Sequence, residues 1–119
     1  MRIDKTLLAA TIIAGLAAPA GALAQEVSDD VVKIGILNDQ SGVYADFGGK
    51  WSVAAAEMAA ADFGGTVLDK PIEIINADHQ NKPDIASNIA REWYDTQQVD
   101  AIMELTTSSV ALAVQGLSK

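Results

Sequence analysis

Val31-Val32-Lys33-Ile34-Gly35-Ile36-Leu37-Asn38-Asp39-Gln40-Ser41-Gly42 is the stretch that decides the fold of this 119-residue chain. Val31, Val32, Ile34, Ile36 and Leu37 form a β-branched, nearly continuous apolar run, the pattern of a strand buried on both faces of a parallel sheet. Asn38, Asp39, Ser41 and Gly42 then supply the residue types that turn a chain.

Working outward, residues 49–63 are rich in alanine, with Trp51, Ala54, Ala55, Met58 and Ala59 at helical spacing and Lys50, Glu57 and Asp62 on the other side. The pattern predicts a helix packed closely through the first set and stopped by Gly64-Gly65. Residues 71–77 (PIEIINA) read as a second strand, with Asp69 and Lys70 in the turn before it and a polar loop of Asp78, His79, Gln80 and Asn81 behind it. Pro83 suits a first helical turn and Asp84 suits its positive end, so a second helix follows, with Ile85, Ile89 and Trp93 inward and Asn88, Arg91, Glu92 and Asp95 wet. Residues 99–105 (VDAIMEL) read as a third strand. Thr106, Thr107, Ser108 and Ser109 are N-capping types ahead of the apolar run Val110, Ala111, Leu112, Ala113, Val114 and Leu117. The order β-α-β-α-β-α, with segments short enough for right-handed crossovers, predicts an α/β fold, part of a doubly wound parallel sheet.

Ahead of this unit lie Arg2 and Lys5, an apolar run over residues 7–18 and Ala22-Leu23-Ala24 before Gln25. A charged start, a run too short to span a bilayer comfortably and small residues two apart read as a cleavable secretory signal peptide over residues 1–24. Residues 25–119 are then the mature part: 95 residues, one small domain, with six basic and fifteen acidic residues and a net charge of −9. That surface repels nucleic acid and anionic lipid, so neither is an expected partner. With no cysteine there is no disulfide and no lipid-modified N-terminal cysteine, hence no direct membrane anchor; with one histidine as well, no metal site is expected. The last residues lie in or just after a helix that has no closing glycine or proline, and three parallel strands leave both sheet edges open, so a truncated domain is expected.

In an open α/β sheet ligands gather beyond the carboxyl ends of the strands. Here those ends carry the loops at 38–49, 78–82 and 105–109. In the third, Thr107, Ser108 and Ser109 offer hydroxyls and free N–H groups at a helix N-terminus, where the dipole favours a carboxylate; the same residues would also serve simply as caps. In the first, Tyr44 and Phe47 near Gly48-Gly49 could wall a pocket or staple the loop down. His79 beside Asp78 has the composition of an acid–base pair, but it needs a nucleophile such as Ser41 or Ser108 brought near by the fold, and a hydrogen-bonded loop histidine is the stronger expectation. Asp39 has the place of a phospho-acceptor carboxylate, which secretion argues against. NDQSG stands where a dinucleotide site needs GxGxxG, so no nicotinamide cofactor is expected.

The leader, VVKIGILNDQSGVYADFGG, the alanine-rich helix, DHQNKPDIA and TTSSVALAVQ, in this order and spacing, resemble the amino-terminal part of a periplasmic solute-binding protein of ABC transporters, of the branched-chain amino-acid (leucine/isoleucine/valine) type. The resemblance covers essentially all of the mature chain. It implies the first lobe of a type I periplasmic-binding-protein fold, a hinged two-lobed receptor that closes on a small solute and hands it to a membrane permease. It implies no catalysis and no cofactor, a periplasmic location and, at full length, a monomer. By position, the serine that binds the ligand carboxylate falls on Ser108, with Ser109 beside it and Thr107 before it. The cleft-lining aromatic falls on Phe47, where amino-acid-binding relatives often have tyrosine; the lost hydroxyl fits a more apolar or aromatic acid. A disulfide of some relatives would join Asn81 and Thr107 and is absent. The expected function is therefore capture of a carboxylate-bearing solute, an amino acid or an aromatic or aliphatic acid. The alternatives are a ligand-sensing domain of a receptor and, further off, a secreted α/β hydrolase, which would need a G-x-S-x-G elbow that the sequence lacks.

Overall fold

A computed structural model describes residues 29–118; the leader expected at residues 1–24 lies outside them. The apolar run becomes β1 (Val32–Asn38), and β3 (Lys70–Asp78) and β4 (Ala101–Met103) pair with it in parallel on either side. A two-residue strand, β2 (Thr66–Val67), adds antiparallel to β3, giving the order β2-β3-β1-β4. The sequence reading missed β2. Its hairpin turns through Leu68 and Asp69 at φ 51° and 62°, a left-handed pair on residues that carry no glycine signal. Lys70, expected in the turn, is the first residue of β3.

Helices α1 (Gly49–Asp62), α2 (Pro83–Thr96) and α3 (Ser108–Gln115) make the crossovers. Strand alternation sorts the two faces of the sheet. Gly35 and Leu37 point to α2 and α3, and Leu37, Ala86, Ala90, Trp93, Val99, Val110 and Val114 form the core there. The tightest contact is at Gly35, where an added Cβ would lie 2.3 Å from Cζ3 of Trp93: the indole packs against the strand and the glycine makes its room. In α2 the fully buried positions are Ala86 and Ala90 with Trp93, while Ile85 and Ile89 are only half-buried; the small residues, not the isoleucines, let the helix approach.

The expected face of α1 is corrected. Trp51 and Met58 are each 67% exposed, and the buried residues are Gly49 and Val53. Gly49, Val53, Ala56 and Ala60 form the inward stripe, on the opposite side of the helix from Trp51, Ala55 and Met58. Apolar residues line both sides of this helix, so spacing alone could not rank them. Close approach to β1 and β3 selected the smaller set. Gly64 and Gly65, at φ 106° and 71°, end the helix as expected, with Gly65 N–H donating to the Ala60 carbonyl.

The third strand is shorter than residues 99–105: β4 holds only Ala101–Met103, and Glu104, at φ 67°, breaks the extended run at its carboxyl end.

Candidate functional site

The chain leaves β1 through α1 to one side and returns through α2 to the other, so the connections diverge at the carboxyl ends of β1 and β4. Such a switch point opens a crevice bounded by the loops that follow those two strands. Phe47 lies on the first loop, after β1; Thr107, Ser108 and Ser109 lie on the third, after β4, and the second follows β3.

The first loop is shaped from within. Asp39, fully buried, accepts the N–H groups of Gly42 (2.7 Å) and Tyr44 (3.0 Å) on its two carboxylate oxygens. A Cβ at Gly42 would fall 2.6 Å from both oxygens, so the turn closes on the carboxylate only because residue 42 is glycine. Asp39 is thus occupied in holding the loop. Phe47 is 83% exposed, with its ring centroid 6.1 Å from that of Tyr44. It stands out from the loop beside Gly48 and is no core staple.

The second loop is tied to the first. Asp78 accepts Ser41 Oγ (2.5 Å), Gln40 N–H (3.0 Å) and Gln80 N–H (2.8 Å). Burial would raise its pKa, but these hydrogen bonds and the neighbouring His79 outweigh it and hold the carboxyl below its usual range. His79 is fully buried, and its Nδ1 accepts the Asn81 N–H at 3.0 Å, which places the ring proton on Nε2. Burial lowers its pKa, with Asp39 and Asp78 acting in opposition. Ser41, one of the two hydroxyls such a pair could have used, gives its proton to Asp78. The Asp78–His79 pair therefore braces two loops, Gln80 and Asn81 being held at φ 53° and 54° between its bonds.

At the third loop Thr107 is the N-cap of α3 by position, yet its hydroxyl makes no capping bond. Its Oγ1 is buried and, among the described residues, has no hydrogen-bond partner; Asn38 Oδ1 and His79 Nε2 share that condition. The capping role expected of the side chain is thus corrected. Ser108 and Ser109 form the first turn of α3 and are exposed, with first-turn N–H groups that have no intrahelical acceptor.

Three helix N-termini face this end of the sheet, and they differ in charge. Pro83 removes a donor from α2, and Asp84 occupies its first turn. The first turn of α1 holds no acidic residue, but Glu104 reaches it from the end of β4: a Cβ on Gly48, the α1 N-cap, would lie 2.7 Å from Glu104 Oε2. The first turn of α3 has no acidic residue, and the unpartnered Thr107 hydroxyl lies at its edge. Of the three, it suits an added anion best. Sequence reasoning missed Glu104. It is one acid in an apolar run, and its significance lies in the fold, which sets it against the glycine of another loop.

Comparison with known proteins agrees with this topology. A periplasmic binding protein family profile matches residues 31–119. A periplasmic binding protein from Burkholderia mallei is 49% identical, with a TM-score of 0.73 over 75% of this chain and 24% of its own. A branched-chain amino acid ABC transporter periplasmic ligand-binding protein from Burkholderia xenovorans LB400 is also 49% identical, with a TM-score of 0.69 over 72% of this chain and 23% of its own. A solute-binding protein of an ABC transporter from Rhodopseudomonas palustris BisB5, solved with 3,4-dihydroxybenzoic acid, is 26% identical, with a TM-score of 0.68 over 76% and 24%. The chain spans about a quarter of the length of these structures. Among curated proteins none matches. The parallel sheet with its switch-point crevice, the profile match and these likenesses place the chain in the periplasmic binding protein family, as part of a type I lobe.

Proposed function

We propose that this chain is the amino-terminal part of lobe one of an ABC-transporter receptor that captures a small carboxylate-bearing solute in the periplasm and presents it to a membrane permease. Residues 1–24 act as the export signal and residues 25–119 as the truncated lobe; the full-length receptor is a monomer, without cofactor or catalysis. The observation that carries the reading is the α3 N-terminus, where a buried hydroxyl on Thr107 lacks a partner among the described residues, beside a first turn free of acidic residues. An incoming carboxylate would accept from that hydroxyl, from Ser108 and Ser109 and from the free N–H groups, while the exposed Phe47 ring covers the apolar part. The Burkholderia xenovorans protein named for branched-chain amino acids and the receptor holding dihydroxybenzoate support the solute class, an amino acid or an aromatic or aliphatic acid. Thr107→Val in the full-length receptor tests the reading. Weaker binding of carboxylate solutes is expected, and unchanged affinity overturns it.

A further inference from the structure

His79, the one histidine of this chain, is held in a form that cannot charge without moving its neighbours. Its ring is fully buried, and Nδ1 is engaged as the acceptor of the Asn81 N–H at 3.0 Å. The same turn is closed by the Lys82 N–H on the His79 carbonyl (2.9 Å), and the His79 N–H donates to the Asn38 carbonyl at the end of β1 (2.9 Å). Between these bonds Gln80 and Asn81 stand at φ 53° and 54°, left-handed backbone that residues with a Cβ adopt infrequently, so the turn keeps its shape because its hydrogen bonds hold it. An imidazolium carries an N–H on both nitrogens. A proton added at Nδ1 would set one donor against another, and the ring can accept it only if the turn releases Asn81. Burial favours the neutral ring, against the pull of Asp39 on the first loop and Asp78 on β3. At the start of α2, Lys82 directs its Nζ to Gln80 Oε1 (3.2 Å) and Asp84 lies in the first turn, while residues 105–115, the third loop and α3, hold no ionisable side chain.

We propose that His79 is a proton-operated latch on the crevice: charging the ring opens the turn at residues 79–82 and, through Asp78, loosens the first loop, so that the receptor gives up its solute as the pH falls. This is regulation of the site proposed above and rests on that reading. The connection runs through one carboxylate. Asp78 holds the Gln80 N–H on the second loop and both Ser41 Oγ and the Gln40 N–H on the first, ahead of the segment that carries Phe47. An imidazolium freed from Asn81 competes for that carboxylate with the groups that now tie the first loop down. The hydrogen bonds on Asp78 keep its carboxyl below the usual range, so it is still an anion at the mildly acidic pH where the ring takes up its proton.

Two measurements on the full-length receptor test the latch. Without solute, amide hydrogen exchange corrected for its intrinsic pH dependence should show Asn81 losing protection by about tenfold or more between about pH 7.5 and about pH 4.5, while the buried α2 positions Ala86 and Ala90 keep theirs. With solute, calorimetry using leucine and benzoate should show the dissociation constant of whichever binds rising by about tenfold or more over the same interval. His79→Asn supplies an oxygen in place of Nδ1 as acceptor for the Asn81 N–H and does not titrate, so it should lose both pH effects; any change that remains in this variant belongs to other groups, Asp39 among them. Protection at Asn81 that does not fall with pH, protection that falls equally at Ala86 and Ala90, affinity that stays level while Asn81 opens, or an affinity loss of the same size in wild type and His79→Asn overturns the proposal. The comparison of Asn81 with α2 is made in the wild type and decides the matter even where His79→Asn does not fold. Failure of the carboxylate reading has a different signature: neither acid then binds at about pH 7.5, and the exchange of Asn81 alone judges the latch.

Discussion

Thr107→Val exchanges a hydroxyl for a methyl group of nearly the same shape, and its effects on ligand-free stability and on binding should have opposite signs. In the free protein the hydroxyl makes no capping bond, so the usual loss of about 0.5–2 kcal/mol for removing an N-cap side chain does not apply. Its oxygen is buried without a partner among the described residues, a condition that costs about 1–3 kcal/mol, so an apolar substitute should leave the fold as stable or more stable. On the proposed reading the same hydroxyl would donate to the solute's carboxylate in the bound protein, and a hydrogen bond to a charged group contributes about 1.5–3 kcal/mol. Dissociation constants for carboxylate solutes should therefore rise by about 10- to 150-fold. Urea denaturation without ligand and calorimetric titration of the full-length receptor give the two numbers. A variant that loses stability and keeps its affinity would refute the reasoning, for the hydroxyl would then be serving the helix and not the solute.

Gly35→Ala puts a Cβ 2.3 Å from the Trp93 ring, well inside the contact distance of about 3.5–4.0 Å, so the indole must move; a loss of about 1–3 kcal/mol is expected in urea denaturation of the full-length receptor, and an unchanged midpoint would show that Trp93 does not lie on the strand. Burial holds the His79 pKa below its ordinary 6.5, so the folded state binds its proton less readily than the unfolded chain. The stability this group contributes is present above pH 6.5 and is lost as the pH falls from there through the folded-state pKa. Proton NMR of the imidazole checks this, and titration at or above 6.5 would contradict it.

Much of the fold was legible because it depends on patterns the sequence displays openly. The run from Val31 to Leu37 is apolar at nearly every position, as a central parallel strand must be, and Pro83 with Asp84 marks the start of α2. What escaped was decided by comparison between neighbours in space. Apolar residues surround α1, and only the surface of β1 and β3 selects Gly49 and Val53 over Trp51 and Met58. The β2 hairpin turns through Leu68 and Asp69, which carry no turn signal as strong as Gly64-Gly65. The candidate site was half legible. Hydroxyl residues before an apolar helix pointed to residues 107–109, but whether Thr107 caps that helix or keeps its hydroxyl in reserve is a matter of one rotamer, and sequence is silent on rotamers. Glu104 and Gly48 lie 56 positions apart and their relation exists only once β4 is laid beside β1.

The central claim is that this crevice grips an anion at the α3 N-terminus. Its most direct test is calorimetric titration of the full-length receptor with acids and their isosteric amides, leucine against leucinamide and benzoate against benzamide. Binding of an acid with its amide weaker by at least tenfold is the expected result, because an amide brings no negative charge to the helix end. Amides that bind as tightly as their acids would contradict the account.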